Sequence, residues 1–307
     1  MGMDFAKKYD LSIKLIGIII LALIFLIVIT WTGYLKCGTI PYWCDVYDVA
    51  MGPPKVLIVY GDTGLGDAEQ LKEFLSSPKY VGKSNIYARH IDGLSIGTLS
   101  EYTLVIVTSA KLMSYSQIEM FIEYINKGGR LVWTGDAGTE IPIDEKAPIN
   151  NFFKDSNSDF NPWIRIKEDN QSFEKLDLSK LLGLSYFANY CELKKCSTYG
   201  QVGILEKETK HILVDGVSER LDLRIGEKHD LAIVKQNYNG TNNQILTLNF
   251  GSTLNTDQGQ INKKVPFLTT SGPAQKVIYY SMPLEYLMMD NNFITLFADM
   301  YSGALGR

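Results

Sequence analysis

Two acidic residues stand in glycine-rich turns that each follow a short apolar run. Asp136 lies in the turn Thr134–Gly138, and Asp62 lies in the longer turn Gly61–Asp67. Together with Glu140, these side chains could form a carboxylate cluster that binds a hard cation or acts as a general base. The alternative is a local role, in which the Asp136 carboxylate accepts hydrogen bonds from nearby backbone N–H groups and no ligand is needed.

The Asp136 turn ends a stretch whose pattern predicts a strand, a helix and a second strand. Thr103–Thr108 is apolar and β-branched, which is typical of a strand buried on both faces of a parallel sheet. Ser116 is predicted to cap the helix with Glu119 as its capping-box partner, and Arg130–Thr134 forms the second strand. A right-handed parallel crossover then places the Asp136 turn at the carboxyl edge of the sheet, where open α/β folds carry their sites.

The first two strands of the domain are predicted at Lys55–Tyr60 and Ile86–Ile91. The turn Gly61–Asp67 is as rich in glycine as a phosphate-binding loop, but it lacks the spacing of a dinucleotide fingerprint and the lysine of a P-loop. Its simpler interpretation is a flexible strand-to-helix turn, in which Asp67 caps the helix and Gln70 is the capping-box partner.

The segment from Glu140 to about Gly200 differs in composition from its surroundings, because polar residues are frequent and periodicity fades. This insertion starts directly after the Asp136 turn, so we expect it to lie over the carboxyl edge of the sheet. It could be a lid or a partner-binding surface, or it could be a packing layer whose aromatic residues form an accessory core. The predicted partner-binding residues are Phe152, Phe153, Phe160 and Trp163.

The remaining chain continues the alternation of strands and helices. Further strands are predicted at Ile204–Leu205, Leu231–Lys235, Gln244–Phe250 and Val277–Ser281. Leu176–Leu184 is a predicted short helix within the insertion, and Asp290 is predicted to cap a final helix. The fold class is therefore α/β, with a doubly wound, mostly parallel sheet of the flavodoxin-like type over residues 55–307.

The N-terminal part of the chain contains an apolar segment from Ile13 to Leu35. About 20 helical residues span the hydrocarbon layer of a bilayer, so this segment predicts one transmembrane helix. A cleaved secretion signal is the alternative, but small residues of a cleavage site are not found before Cys37. Because Lys7 and Lys8 precede the segment, we expect residues 1–12 to be a cytoplasmic tail and the large domain to lie outside the cell.

The four cysteines form two close pairs, Cys37 with Cys44 and Cys191 with Cys196. Close pairs in an exported domain predict disulfides, and residues 36–54 would then be a disulfide-bearing stalk. The alternative is one zinc site of four thiolates, but the spacings within both pairs are wider than such sites usually have.

Other residue patterns limit the function classes. Asn170 and Asn239 each begin a glycosylation sequon, which is meaningful only in an exported domain. The net charge of −4 and the pI near 5.5 leave no basic stripe, so nucleic acid is not an expected partner. His90, His211 and His229 show no spacing of paired metal ligands, and we predict neither a metal nor a cofactor. The frequent Lys, Asn, Tyr and Ile residues suggest an AT-rich, archaeal genome.

Four segments together resemble the class I glutamine amidotransferase-like superfamily. They are VLIVYG, GGRLVWTGDAG, KHILVDGV and KVIYYSMPLEY, which lie between Lys55 and Tyr301. Within the superfamily they are most similar to membrane-associated, catalytically divergent domains of the ThuA-like or DUF4350-like kind. The insertion is poorly matched.

The resemblance implies a specific difference at the site. In amidotransferases the turn after this strand carries a nucleophilic cysteine activated by a histidine, whereas Asp136 stands at that position here. A carboxylate cannot perform thiolate acyl transfer from glutamine. His211 matches the histidine that opens the H-x-x-x-x-G segment of the ThuA-like group, and a structural role at a strand entrance is its alternative.

These observations predict a single-pass membrane protein with a non-catalytic extracytoplasmic domain. It would be an interaction or accessory subunit of a cell-envelope or membrane protein complex. Its partners would be the lipid bilayer and other membrane or cell-envelope proteins. The alternative is a membrane-anchored hydrolase or carbohydrate-modifying enzyme whose site contains Asp136, Asp62 and His211.

Overall fold

The computed structural model describes residues 2–31, 35, 39–82, 85–154, 160–169, 172–194, 196, 199–226, 228–237, 240–257, 259–288 and 290–306. Residues Pro54–Leu305 form one compact unit, and the residues up to Pro53 belong to a second unit. Three predicted sites, Cys37, Asn170 and Asn239, lie outside the described residues.

The N-terminal unit contains two helices, α1 (Gly2–Trp31) and α2 (Trp43–Met51). Among the described residues, one helical segment is long and apolar enough to cross a membrane, Ile13–Thr30 in α1, and a membrane anchor and a signal peptide share this form. α1 begins before Ile13 and includes most of the predicted cytoplasmic tail, residues 1–12. Cys44 is disulfide-bonded and lies in α2, although its sequence context predicted a loop.

The larger unit alternates strands and helices in its first half and is dominated by strands in its second. Its strands are β1 (Lys55–Tyr60), β2 (Asn85–His90), β3 (Leu104–Val107), β4 (Leu131–Thr134), β5 (Ile164–Asp169), β6 (Ser172–Asp177), β7 (Leu184–Asn189), β8 (Gly200–Lys207), β9 (Arg220–Ile225), β10 (Ala232–Gln236), β11 (Asn242–Asn249), β12 (Leu254–Thr256), β13 (Gly259–Ile261), β14 (Lys264–Ser271) and β15 (Val277–Tyr280). Its helices are α3 (Ala68–Ser76), α4 (Ile96–Leu99), α5 (Tyr115–Asn126), α6 (Lys146–Lys154), α7 (Leu178–Leu182), α8 (Tyr190–Leu193) and α9 (Asn291–Ala304).

Within the described residues, nine strands form a central sheet in the order β2-β1-β3-β4-β15-β14-β11-β8-β9. The strands from β2 to β15 in this order are parallel, and those from β14 to β9 extend the sheet in antiparallel fashion. β1 lies between β2 and β3, so the direction of strand addition reverses at β1. This reversal is the topological switch point at which doubly wound folds form a crevice. The predicted α/β fold class is confirmed.

The parallel strands separate two apolar layers. Val56 and Ile58 of β1 pack on the side of α3 and α9, whereas Leu57 and Val59 pack on the side of α5. Every residue of β3 and β4 is buried, as predicted for strands covered on both faces. The sheet thereby holds the carboxyl ends of β1, β3, β4 and β15 together at one edge.

Two helix starts differ in detail from the prediction. Ser114, not Ser116, caps α5, and Gln117 rather than Glu119 completes the capping box. Asp67 caps α3 as predicted, but its backbone N–H donates to Glu285 and not to Gln70. Asp290 caps α9 as predicted.

The described residues of the insertion form a layer of regular helices and strands. It contains α6, the antiparallel hairpin of β5 and β6, α7, and β7, which pairs with β10 in a separate two-stranded sheet. The strand predicted at Leu231–Lys235 therefore belongs to this small sheet and not to the central one. A small apolar cluster of Ile141, Ile149, Ile164 and Ile166 supports the outer part of the insertion.

Candidate functional site

The Asp136 turn is closed by hydrogen bonds from two distant elements. Gly135 adopts a φ of 55°, which lets the chain turn sharply after β4 and aims the Asp136 side chain back over the sheet edge. Oδ1 of Asp136 accepts a hydrogen bond from the Leu65 N–H at 2.7 Å, and Oδ2 accepts one from Nδ2 of Asn189 at 2.9 Å. Asp136 is only 1% exposed. Its carboxylate is therefore engaged on both oxygens beneath the surface.

Lys111 gives this carboxylate its counter-charge. Its Nζ lies 3.6 Å from Oδ2 of Asp136 and 3.5 Å from Oε1 of Glu192. Lys111 follows β3 after Ser109, a non-glycine residue with a φ of 50°, which is a strained conformation of the kind found at functional edges. Burial works to lower the pKa of Lys111, but the two carboxylates outweigh it and raise the pKa above its usual value.

A disulfide loop holds the outer side of the cluster. Cys191 and Cys196 are bonded to each other, as predicted. The Cys191 N–H donates to Oδ1 of Asp230 at 3.0 Å, and the Leu231 N–H donates to the same oxygen at 2.7 Å. Burial raises the pKa of Asp230 to about 6, against these hydrogen bonds and with a further contribution from the Glu192 carboxylate.

A second buried carboxyl group supports the β1 turn. Oε1 of Glu285 accepts from the Asp67 N–H at 3.0 Å, and the neighbouring Tyr286 hydroxyl accepts from the Gly66 N–H at 2.8 Å. Burial raises the pKa of Glu285 to about 7, although the Asp67 N–H favours its ionised form. Gly66 is required here, because a Cβ would lie 1.9 Å from the Thr108 hydroxyl.

The insertion is attached to the Asp136 turn by two fully buried side chains. Arg165 donates to the carbonyl oxygens of Gly138 at 2.8 Å and Met113 at 3.1 Å, and burial lowers its pKa to about 10. Trp163 donates from its indole N–H to the Ala137 carbonyl at 2.8 Å. The prediction that Trp163 contacts a partner is therefore corrected, because its ring belongs to the interior.

The other three predicted partner residues form an aromatic surface on the insertion together with Phe173, which was not among them; we define this surface as Phe152, Phe153, Phe160 and Phe173. The rings make successive edge-to-face contacts with centroids between 5.3 and 5.7 Å apart. Phe160 is 51% exposed and Phe173 is 43% exposed, while Phe152 and Phe153 are partly buried against the small apolar cluster below. Exposed aromatic residues in contact with each other mark interaction sites more often than isolated ones do.

The predicted carboxylate cluster does not form. Asp62 is highly exposed, and its carboxylate lies 3.3 Å from Nε2 of His90. Glu140 is also exposed, and its backbone, not its carboxylate, contacts the edge of the site through Lys111 and Met113. Within the part of the chain that the structure describes, no group of three or more His, Cys, Asp or Glu residues could hold a metal ion.

His211 lies at the opposite edge of the sheet from Asp136. It follows β8, which runs antiparallel to β4 because three antiparallel pairings separate β8 from β15. Its Nδ1 accepts a hydrogen bond from the Leu213 N–H at 3.3 Å. His211 thus caps the short 3-10 helix Ile212–Val214, and the structure does not bring it together with Asp136.

Sequence reasoning missed most partners of Asp136. Lys111 could have been found, because it is a polar residue just beyond the carboxyl end of a buried strand. The sequence could not have identified three other neighbours, Asn189, Glu192 and Asp230. They come from the insertion and from the loop before β10, and neither segment has a periodic pattern that predicts its position in the fold. The assembled groups are Lys111 and the carboxyl groups of Asp136, Glu192 and Asp230. Lys111 forms ion pairs with the first two.

Comparisons with known proteins address the fold. No protein-family model matches this sequence, and no curated protein matches it. Among solved structures, a ThuA-like protein from Bacteroides uniformis is 15% identical, with 80% of this chain and 89% of that chain covered and a TM-score of 0.54. A ThuA-like protein from Parabacteroides merdae is 14% identical, with 82% and 90% covered and a TM-score of 0.47. A glutamine amidotransferase from Thermotoga maritima is 13% identical, with 76% of both chains covered and a TM-score of 0.40. At these identities the similarity concerns the fold alone, and this chain has an amidotransferase-like α/β fold similar to that of the ThuA-like protein from B. uniformis.

Proposed function

We propose that this protein is a membrane-anchored, non-catalytic docking subunit of a cell-envelope or membrane protein complex. Its large domain would lie outside the cell and contact a protein partner through the aromatic surface of the insertion. The chain would be a divergent, membrane-anchored form of the amidotransferase-like fold in which the nucleophile position has become a structural one.

The observation that carries the proposal is the state of Asp136. A nucleophile or general base needs a free lone pair and a path to its substrate. Asp136 has no such path, because its side chain is buried below Asn189, and each carboxylate oxygen already accepts a hydrogen bond. In this proposal, the turn that would correspond to the nucleophile turn of amidotransferases connects β1, β4 and the insertion.

The docking role is supported by the contacts that attach the insertion, and with it the aromatic surface, to the Asp136 turn. Arg165 and Trp163 bind the insertion to the backbone of the Asp136 turn. The exposed rings of Phe160 and Phe173 pack edge-to-face on Phe153 and Phe152 of the same insertion. Pre-ordered aromatic side chains lose little conformational entropy when they bind, which suits them to be anchors of an interface.

The extracytoplasmic location is supported by the N-terminal helix and by the cysteines. The segment Ile13–Thr30 is suited to a membrane anchor, and the Cys191–Cys196 disulfide is typical of oxidising compartments. The basic residues before the helix favour an N-terminus inside the cell. The sequons at Asn170 and Asn239 fit the same orientation.

A second candidate function is hydrolysis at the outer membrane face, and one observation favours it. Glu192 is half exposed beside Lys111, and burial raises the pKa of Asp230 to about 6, which suits Asp230 to act as a general acid. In this version Asp136 positions Lys111 and does not itself react.

The two functions are separated by paired variants tested on the full chain. Phe160→Ser with Phe173→Ser should abolish partner association and leave the fold intact. Glu192→Gln should leave association unchanged, because Glu192 lies in α8 beside Lys111 and is not part of the aromatic surface. The hydrolase would be established instead by two results together. The protein would hydrolyse esters or glycosides and lose this activity in Glu192→Gln, and partner association would survive the loss of both phenylalanines.

A further inference from the structure

We propose that α2 lies in the outer interface of the bilayer, with the side chains of Tyr42, Val46 and Val49 turned toward the lipid. The inference rests on the proposed membrane anchor and adds a second, interfacial point of attachment. Its occupant is a lipid surface and not a protein.

The height of α2 follows from one hydrogen bond. Thr30 is the last residue of the 18-residue span Ile13–Thr30, which measures roughly 27 Å as a helix and matches the hydrocarbon layer of about 30 Å. The indole N–H of Trp43 donates to Oγ1 of Thr30 at 2.9 Å. The first turn of α2 therefore lies at the level where the span ends, and an indole at this depth suits the polar-apolar boundary.

The exposed side chains of α2 are apolar on one face. Tyr42 is the N-cap residue of α2 and has a left-handed conformation, and Val46 and Val49 follow it three residues apart on one side of the helix. They are 83%, 47% and 89% exposed, respectively. Asp45 and Asp48 lie on the flank of this face, as expected for a helix that rests in an interface with its polar side toward water.

The size of the face argues against a protein occupant. Three side chains cannot provide the roughly 800 Å² per partner that a stable protein interface buries. A bilayer needs no such area, because the same lipid surface already surrounds the adjoining span. The two acidic residues limit the depth of α2 to the headgroup region, so we expect shallow insertion.

The test uses the full chain in phosphatidylcholine vesicles, with a nitroxide-bearing amino acid incorporated at one position at a time so that the disulfides stay intact. Label positions are Val49 on the proposed lipid face, Leu21 within the span and Glu73 on the exposed side of α3. Spin relaxation by oxygen, which partitions into lipid, is compared with relaxation by a water-soluble nickel chelate. We expect the oxygen-to-nickel ratio at Val49 to fall between the high ratio at Leu21 and the low ratio at Glu73, and a label at Val46 to repeat the result.

Three outcomes would overturn the proposal, each in a different way. A ratio at Val49 equal to that at Glu73, with Leu21 in lipid, would mean that the anchor holds and α2 stands in water. Low access of both reagents to Val49 would mean that a protein or a second copy covers the face. A water-like ratio at Leu21 would refute the membrane anchor itself, and the inference on α2 would fail with it.

Discussion

The side-chain amide of Asn189 donates a hydrogen bond to the carboxylate of Asp136 across 2.9 Å, although 53 residues separate them in the chain. Asn189 ends the last strand of the insertion, and Asp136 follows a central strand of the sheet. The insertion thus closes the turn that follows β4. Asp136 is for this reason a structural residue in our account, and changes to it should affect stability first.

We expect Asp136→Asn to lower the free energy of unfolding by about 2 kcal/mol, because a buried donor loses its acceptor. The asparagine oxygen can still accept from the Leu65 N–H, but its amide group then faces the amide group of Asn189. Urea unfolding of the full chain in detergent would measure the loss. The control is Asp62→Asn at the exposed turn, for which a change below about 0.5 kcal/mol is expected. Equal stability of the two variants would argue against a structural role for Asp136.

Arg165→Met should cost about 3 kcal/mol, since several buried carbonyl oxygens lose their donor at once. We expect the loss to be accompanied by faster amide hydrogen exchange in β5 and β6, because Arg165 attaches this hairpin to the Gly138 turn. Arg224, on an exposed face of β9, gives the matched control Arg224→Met. If both variants left exchange in the hairpin unchanged, the insertion would be held by other contacts.

Glu285 should make the protein less stable as the pH rises. Its pKa is about 7 in the folded protein and near 4.5 in the unfolded chain, so the folded state binds more protons between these values. The stability that the protonated group provides is complete below pH 4.5 and is lost as the pH rises through 7. Glu285→Gln keeps an acceptor for the Asp67 N–H and cannot ionise.

The stability of Glu285→Gln relative to the natural protein should therefore increase by roughly 2–3 kcal/mol between pH 5 and pH 8. Denaturation of both proteins at both pH values measures this difference. The contributions of the other titrating groups cancel, because both proteins share them. Glu73→Gln on the surface of α3 is the control and should show little pH dependence. A difference that is constant with pH for Glu285→Gln would contradict the buried, protonated carboxyl group.

Removing the Cys191–Cys196 disulfide should have a local effect. The double change Cys191→Ser with Cys196→Ser opens a loop of a few residues, for which chain entropy predicts a loss of about 2 kcal/mol. Amide exchange should increase in α8, which carries Glu192 and the Cys191 N–H bond to Asp230, while the central sheet keeps its protection. Exchange that rises equally in β3 and β4 would show that the disulfide supports the whole fold.

The core of the fold was predictable because its strands are short apolar runs bounded by turns. β1 was predicted with its observed limits, and β3 and β4 to within one or two residues, since strands buried on both faces leave an unbroken apolar signal. The start of α5 was displaced by two residues because Ser114 and Ser116 both fit a cap. Only the path of the incoming chain decides between them.

The site was less predictable because it depends on distant pairings. His211 was associated with Asp136 through the resemblance of its segment to the ThuA-like group, but strand direction in the extension from β14 to β9 has no signature in the residues themselves. Trp163 was predicted to face a partner because aromatic residues in an irregular segment resemble an interface. In the interior, the Trp163 indole N–H donates a hydrogen bond to the Ala137 carbonyl, and only the folded turn presents this carbonyl.

The measurement that tests the account most directly is photo-crosslinking in the native membrane from position 160. The full chain would carry a photoreactive phenylalanine at Phe160, on the aromatic surface, or at Glu73 as a matched exposed control. The account predicts one reproducible protein adduct from Phe160, absent at Glu73 and lost when Phe173→Ser is added. The contradicting result has two parts. Position 160 would give no adduct, and the protein would hydrolyse an ester or glycoside and lose this activity with Glu192→Gln.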